Sequence, residues 1–122
     1  MDQRVETIIR LMQADFCRKL SLDEMARAVN LSPSRLRHLF KEETALTPAQ
    51  YLRRVRMQRA DSLLAGTFMR VKEISHAVGM FNSSSFVRAY KKIRGQSPSE
   101  YRRSSFLPGG DGPWEHDSQI VQ

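Results

Sequence analysis

Two sets of side chains in this chain have the types and the spacing needed to read base-pair edges. Ser34, Arg37, His38 and Lys41 fall on one face of a helical pattern, and adding 50 to each number gives Ser84, Val87, Arg88 and Lys91. Arginine pairs bidentately with O6 and N7 of guanine, serine donates or accepts, and valine can touch the methyl of thymine. Arg35 and Ser83 stand beside these as further base-contacting candidates. Lys41, Thr47, Lys91 and Ser97 carry the charge or hydroxyl that suits a phosphate oxygen, which positions a protein on the duplex without reading sequence. A lone basic helix face is more often a solvated surface. Two such faces, one repeat apart, shift the balance towards recognition.

The repeat itself is explicit. Leu22-Asp23-Glu24-Met25-Ala26-Arg27-Ala28-Val29-Asn30 recurs 49 positions later as Val71-Lys72-Glu73-Ile74-Ser75-His76-Ala77-Val78-Gly79. At an offset of 50, Leu36, Phe40, Lys41, Thr47-Pro48 and Tyr51 are answered by Phe86, Tyr90, Lys91, Ser97-Pro98 and Tyr101. A fixed period tells which unit was copied. Here it is a short helix, a tight turn and a second helix. Steeply crossing helices need a small residue at the contact, supplied by Ala26 and Ser75, and a turn tolerant of positive φ, supplied by Asn30 and Gly79.

The elements that must hold these units are all helical. Val5, Ile8, Ile9, Met12 and Phe16 make the apolar stripe of a first helix. Ser21 with Glu24 forms a capping box for a second, and Ser32-Pro33 opens a third whose Leu36, Leu39 and Phe40 face inward. Thr47-Pro48-Ala49-Gln50 starts a long fourth helix from about 48 to 64, closed by Gly66. A fifth runs from about 71 to 78. A sixth, from about 83 to 93, buries Phe86, Ala89, Tyr90 and Ile93, and a short last helix begins at Ser97-Pro98-Ser99-Glu100 and continues through Tyr101. Cys17, the only cysteine, is expected as a small buried hydrophobe.

Charge divides the chain into a domain over 1–103 and a tail over 104–122. The domain holds all 20 basic side chains against ten acids, whereas the tail has Asp111, Glu115 and Asp117 and no Lys or Arg. So basic a domain suits a polyanionic partner. The Pro/Gly-rich run 108–113 speaks for a disordered tail. Nothing here suits catalysis or a cofactor: His38, His76 and His116 share no metal-ligand spacing, and Cys17 has no second thiol. No apolar run approaches the roughly 20 residues that span a bilayer. One cysteine and no signal peptide suggest the cytoplasm. The rival reading is a helical adaptor for an acidic protein, which would require an apolar groove that the core stripes do not leave free.

Ser32-Pro33-Ser34-Arg35-Leu36-Arg37-His38-Leu39-Phe40, the run from Phe86 to Lys92, and Gly95-Gln96-Ser97-Pro98-Ser99-Glu100-Tyr101-Arg102 together resemble the DNA-binding domain of AraC/XylS-type transcription regulators. The resemblance covers roughly residues 3–103. It implies seven helices in two helix-turn-helix subdomains joined by the long fourth helix, with the third and sixth helices in successive major-groove segments of duplex DNA. It also implies RNA polymerase as a partner, and dimerisation, if any, through a separate sensing domain. Nothing of such a domain lies in these residues, so the chain reads as a fragment of a longer regulator, a single-domain activator being the alternative. Three departures stand out. Ala45 occupies a position where glycine is usual, Met80-Phe81 alters the aromatic after Gly79, and Ser83-Ser84-Ser85 lacks long base readers. The first unit is therefore expected to carry more of the specificity.

Overall fold

The computed structural model describes residues 1–106. Ser104 and Ser105, expected in the tail, belong to the last helix and Phe106 caps it, and the rest of the acidic tail with its expected disorder lies outside the described residues. Seven helices follow one another: α1 (Gln3–Asp15), α2 (Leu22–Ala28), α3 (Pro33–Thr44), α4 (Pro48–Gly66), α5 (Val71–Ala77), α6 (Ser83–Arg94) and α7 (Pro98–Ser105). No strand occurs among the described residues. The chain divides into two compact units, Met1–Val55 and the remainder from Arg56 onward.

Local chemistry sets the helix starts. The hydroxyls of Ser21, Ser32 and Ser97 accept from the N–H three residues on, as does the side-chain oxygen of Asn82. Thr47 and Gln50 form a reciprocal box, with Gln50 Oε1 accepting from the Thr47 N–H at 2.9 Å. The box expected at Ser21 is only half made, because the Glu24 carboxylate turns instead to Arg18 at 2.6 Å. At α6 the cap is Asn82 rather than the serine run, which places Ser83 in the first helical turn.

Cys17 is exposed, contrary to expectation. α1 stops at Asp15, and the Arg18 N–H donates to the Asp15 carbonyl at 3.0 Å. That turn takes the thiol off the apolar stripe before it can be buried.

Each unit has its own core. In the first, Val5, Ile8 and Met12 of α1, Met25 and Ala26 of α2, and Leu36 and Phe40 of α3 are closed over by Leu52 of α4. In the second, Met57, Ala60 and Leu64 of α4 take the place of the α1 stripe, with the same spacings of three and four, and Ile74, Val78, Phe86 and Tyr90 are likewise fully buried. α7 then closes the second unit as the start of α4 closes the first. The Phe40–Tyr51 ring contact at 5.4 Å has its repeat equivalent in Tyr90–Tyr101 at 6.4 Å.

The cores differ in one respect. Matching the two stripes puts Asp61 at the position of Ile9, while Tyr90 and Arg94 answer Phe40 and Thr44. Asp61 accepts from the Tyr90 hydroxyl at 2.6 Å and pairs with Arg94 Nη2 at 2.7 Å, where the guanidinium side chain is only 2% exposed. Arg102, in the place of Leu52, donates from Nε to the Leu64 carbonyl at 3.1 Å and so satisfies the end of α4.

The ends of α3 and α6 bear out the reading of Ala45. It adopts φ 66° where Gly95 adopts φ 81°, and each N–H bonds back at 2.8 Å, to Lys41 and to Lys91. An L-residue there is disfavoured by about 1–2 kcal/mol. Ala45→Gly should therefore raise the melting temperature modestly, because the relief exceeds the roughly 0.4–1 kcal/mol of added unfolded-chain freedom. A Cβ on Gly95 would meet nothing within 4 Å. Gly95→Ala should accordingly destabilise by about 1 kcal/mol through backbone strain alone. Thermal melts of the two variants check both signs.

Candidate nucleic-acid interface

The turn that orients each second helix is the same hydrogen-bonded device twice. The Leu31 N–H donates to the Ala26 carbonyl at 3.0 Å and the Asn30 N–H to Arg27 at 3.2 Å. In the second unit Met80 donates to Ser75 at 2.9 Å and Gly79 to His76 at 3.0 Å. This is a Schellman closure, which requires a left-handed residue just past the helix end, and Asn30 (φ 57°) and Gly79 (φ 83°) supply it. α5 accordingly ends at Ala77, one residue short of the expected end. Ala26 and Ser75 are buried at the helix crossing, where the Ser75 hydroxyl donates to the Met80 carbonyl and so leaves no polar group unsatisfied.

That turn leaves one face of each second helix outside. On α3, Leu36 and Phe40 are buried while Ser34, Arg35, Arg37, His38 and Lys41 are all exposed. On α6, Phe86 and Tyr90 are buried, Ser84, Arg88 and Lys91 are exposed, and Ser83 and Val87 are partly covered. The base-reading candidates of each unit thus share an accessible helix. Lys41 and Lys91 lie in the last turns, where a cation is also favoured by the helix dipole.

Thr47 and Ser97 serve first as caps: each hydroxyl oxygen accepts an N–H, at 3.3 Å from Gln50 and 3.1 Å from Glu100. A hydroxyl that accepts in this way keeps its own proton to donate. The two positions are not equivalent. Thr47's partner is neutral, whereas hydrogen bonds from Ser97 hold the Glu100 carboxyl below its ordinary range and keep a negative charge beside that cap.

Two residues were missed in the sequence. Glu42 pairs with His38 at 3.2 Å and places a carboxylate on the α3 surface, one turn from His38 and two from Arg35, with which it lines a shallow hollow. Its i,i+4 spacing from His38 was the available signal. Asn82, the α6 cap, is exposed at the start of the second candidate reader. Among the described residues no group of three His, Cys, Asp or Glu side chains could hold a metal ion. No helix among them is long and apolar enough to cross a membrane.

Two successive helix-turn-helix units with basic, outward second helices define the double helix-turn-helix class of domain. The helix-turn-helix domain family matches residues 25–104, and the chain belongs to it, in its AraC-type form. The transcriptional regulator YijO of Escherichia coli K12, itself uncharacterized, is 37% identical over 98 residues, which is 80% of this chain and 35% of the relative. The C-terminal domain of AraT, a response regulator from Geobacillus stearothermophilus, superposes with a TM-score of 0.83 at 29% identity over 95% of this chain and 97% of that one. A transcriptional regulator of the AraC-type DNA-binding class from Chromobacterium violaceum gives a TM-score of 0.81 at 29% identity, covering 87% and 95%. The chain spans only 13% and 35% of the length of two curated relatives that it matches.

Proposed function

We propose that this domain binds duplex DNA sequence-specifically, as the DNA-reading part of a transcription regulator. The observation that carries the reading is the pairing of one turn geometry with one exposed basic helix face, present in both units. Arg37 is the principal base reader, with Ser34, Arg35 and His38 beside it. Ser83, Ser84, Val87 and Arg88 form a second, shorter-reaching set. Lys41, Lys91 and Thr47 hold phosphates, and Ser97 does so more weakly because of Glu100. RNA polymerase is a second partner of such a regulator, and any dimerisation belongs with a separate domain. No catalytic step is assigned to any residue, and the cytoplasm is where such a domain would meet its DNA.

Selection from random duplexes tests the reading. Two major-groove readers predict two short conserved blocks about one helical turn, or roughly 10 bp, apart. One block, or no enrichment, would refute two-unit recognition.

Substitution then separates readers from positioning groups. Arg37→Ala should cost about 1–3 kcal/mol on the best site and relax preference at one or two base pairs. An unchanged selected sequence in Arg37→Ala would mean that the reading face of α3 is misassigned.

A further inference from the structure

In the second unit, two neighbouring large aromatic side chains outside α6 are exposed. Phe68, in the connection between α4 and α5, is 93% exposed, and Phe106, just past α7, is 50% exposed. Their ring centroids are 6.1 Å apart. The connection is tied down by its neighbours: the Thr67 hydroxyl donates to the Leu63 carbonyl at 2.6 Å and accepts from the Met69 N–H at 3.2 Å. Phe68 is thus presented outward by a hydrogen-bonded turn. One repeat earlier the equivalent residue is Lys19, an ordinary solvated choice. Exposed Arg70 and Arg103 flank the aromatic pair in sequence, two residues after Phe68 and three before Phe106.

The chain continues directly from this patch. Residues 107–122 contain three carboxylates and no Lys or Arg, together with Trp114, the only tryptophan of the protein. Between Arg56 and Phe106 there are ten basic and three acidic side chains, so the charges of the two segments are complementary. Glu115 adjoins Trp114 and Asp117 follows, while the run 108–113 carries no large apolar side chain. Phe106 and Trp114 are eight peptide units apart in the sequence, and a flexible chain of that length spans about 15 Å on average. Such a tether gives an effective concentration on the order of millimolar, so even a contact with a millimolar dissociation constant would be about half occupied.

We propose that the Phe68–Phe106 pair is the docking surface for Trp114 of this chain's own C-terminal segment, which brings Asp111, Glu115 and Asp117 over the basic second unit. The indole supplies the apolar anchor, with offset or edge-on ring packing, and Arg70 and Arg103 receive the neighbouring carboxylates. Where the domain binds DNA as proposed above, the docked segment competes with phosphates for the same positive field, and its removal raises affinity modestly.

Fluorescence of Trp114 in the intact chain tests the contact without DNA and so independently of the DNA-binding reading. Docking predicts emission shifted to shorter wavelength than in a synthetic peptide of residues 107–122. It also predicts an acrylamide quenching constant about half the peptide's or less. Both should be unchanged on dilution, as an intramolecular contact requires. Phe68→Ser should return both to the peptide values and leave the circular-dichroism melt in place, because its ring is almost wholly outside the core. The proposal is overturned by quenching equal to the peptide's in the intact chain. Protection that survives both Phe68→Ser and Phe106→Ser overturns it as well. So does protection lost on dilution, which would identify a second copy as the occupant.

Discussion

Asp61→Ala is expected to unfold the second unit or to destabilise it by about 3–5 kcal/mol, a large share of the roughly 5–15 kcal/mol that holds a small domain. The loss leaves the Arg94 guanidinium buried without its carboxylate, and takes from the Tyr90 hydroxyl an acceptor held at 2.6 Å. Replacing the pair together should behave differently. Asp61→Leu with Arg94→Met should recover most or all of the stability, since a buried ion pair exchanged for apolar groups of similar volume is often neutral or better. The first unit shows the apolar alternative at work, with Ile9 and Phe40 at the positions of Asp61 and Tyr90. Burial pushes the Asp61 carboxyl above its ordinary range, outweighing the Tyr90 hydrogen bond and the Arg94 charge. A carboxyl raised on folding contributes stability at low pH that is lost as pH rises through its folded value, so Asp61 is not the group through which acid would break the unit. Urea titrations of the single and double variants, followed by circular dichroism, decide the matter. A loss below about 1 kcal/mol for Asp61→Ala would mean that water reaches the pair.

What could be read in the sequence was whatever local chemistry repeats. The caps Ser21, Ser32, Thr47 and Ser97, the prolines at first helical positions and the left-handed Asn30, Gly79, Ala45 and Gly95 each act through their immediate neighbours, and each stands where the residue types place it. The two exposed helix faces followed from period alone. Ends were less legible. α7 runs on to Ser105, because a helix continues until packing or a cap stops it, and that stop is not written in one residue, whereas α4 ends at Gly66 as expected. The buried Asp61–Tyr90–Arg94 network escaped because its members lie 29 and 33 positions apart, and because α1 and α4 share a stripe at an offset, 52, different from the one that revealed the repeat. Cys17 departs from the apolar pattern because a single turn ends α1 at Asp15, before the stripe reaches it. The base-reading roles rest on exposure and residue type, so the sequence offers candidates there and DNA binding must rank them.

The ranking begins with salt. A domain that neutralises six to eight phosphates should lose affinity with a log–log slope of about −5 to −7, or roughly 10³–10⁴-fold between 50 and 200 mM salt. The fold narrows which of the 20 basic residues can contribute. Arg94 is buried against Asp61, Arg18 lies between Asp15 and Glu24, and Arg4 is held by Asp2. Those three are already neutralised by their own carboxylates. Besides the base-reading arginines, exposed Lys41 on α3 and Lys91 and Lys92 on α6 remain, with exposed Arg27, Arg53, Lys72 and Arg103 among the further cations from which six to eight phosphate contacts can be drawn. Lys41→Ala and Lys91→Ala should each weaken every sequence by a similar factor and make the slope about one unit shallower. The Asp61→Leu/Arg94→Met double variant, if folded, should leave the slope where it was, because that cation faces the core and not the duplex. Binding titrations across the salt range give all of these slopes. A parent slope shallower than about −2 would instead identify the partner of the basic faces as an acidic protein.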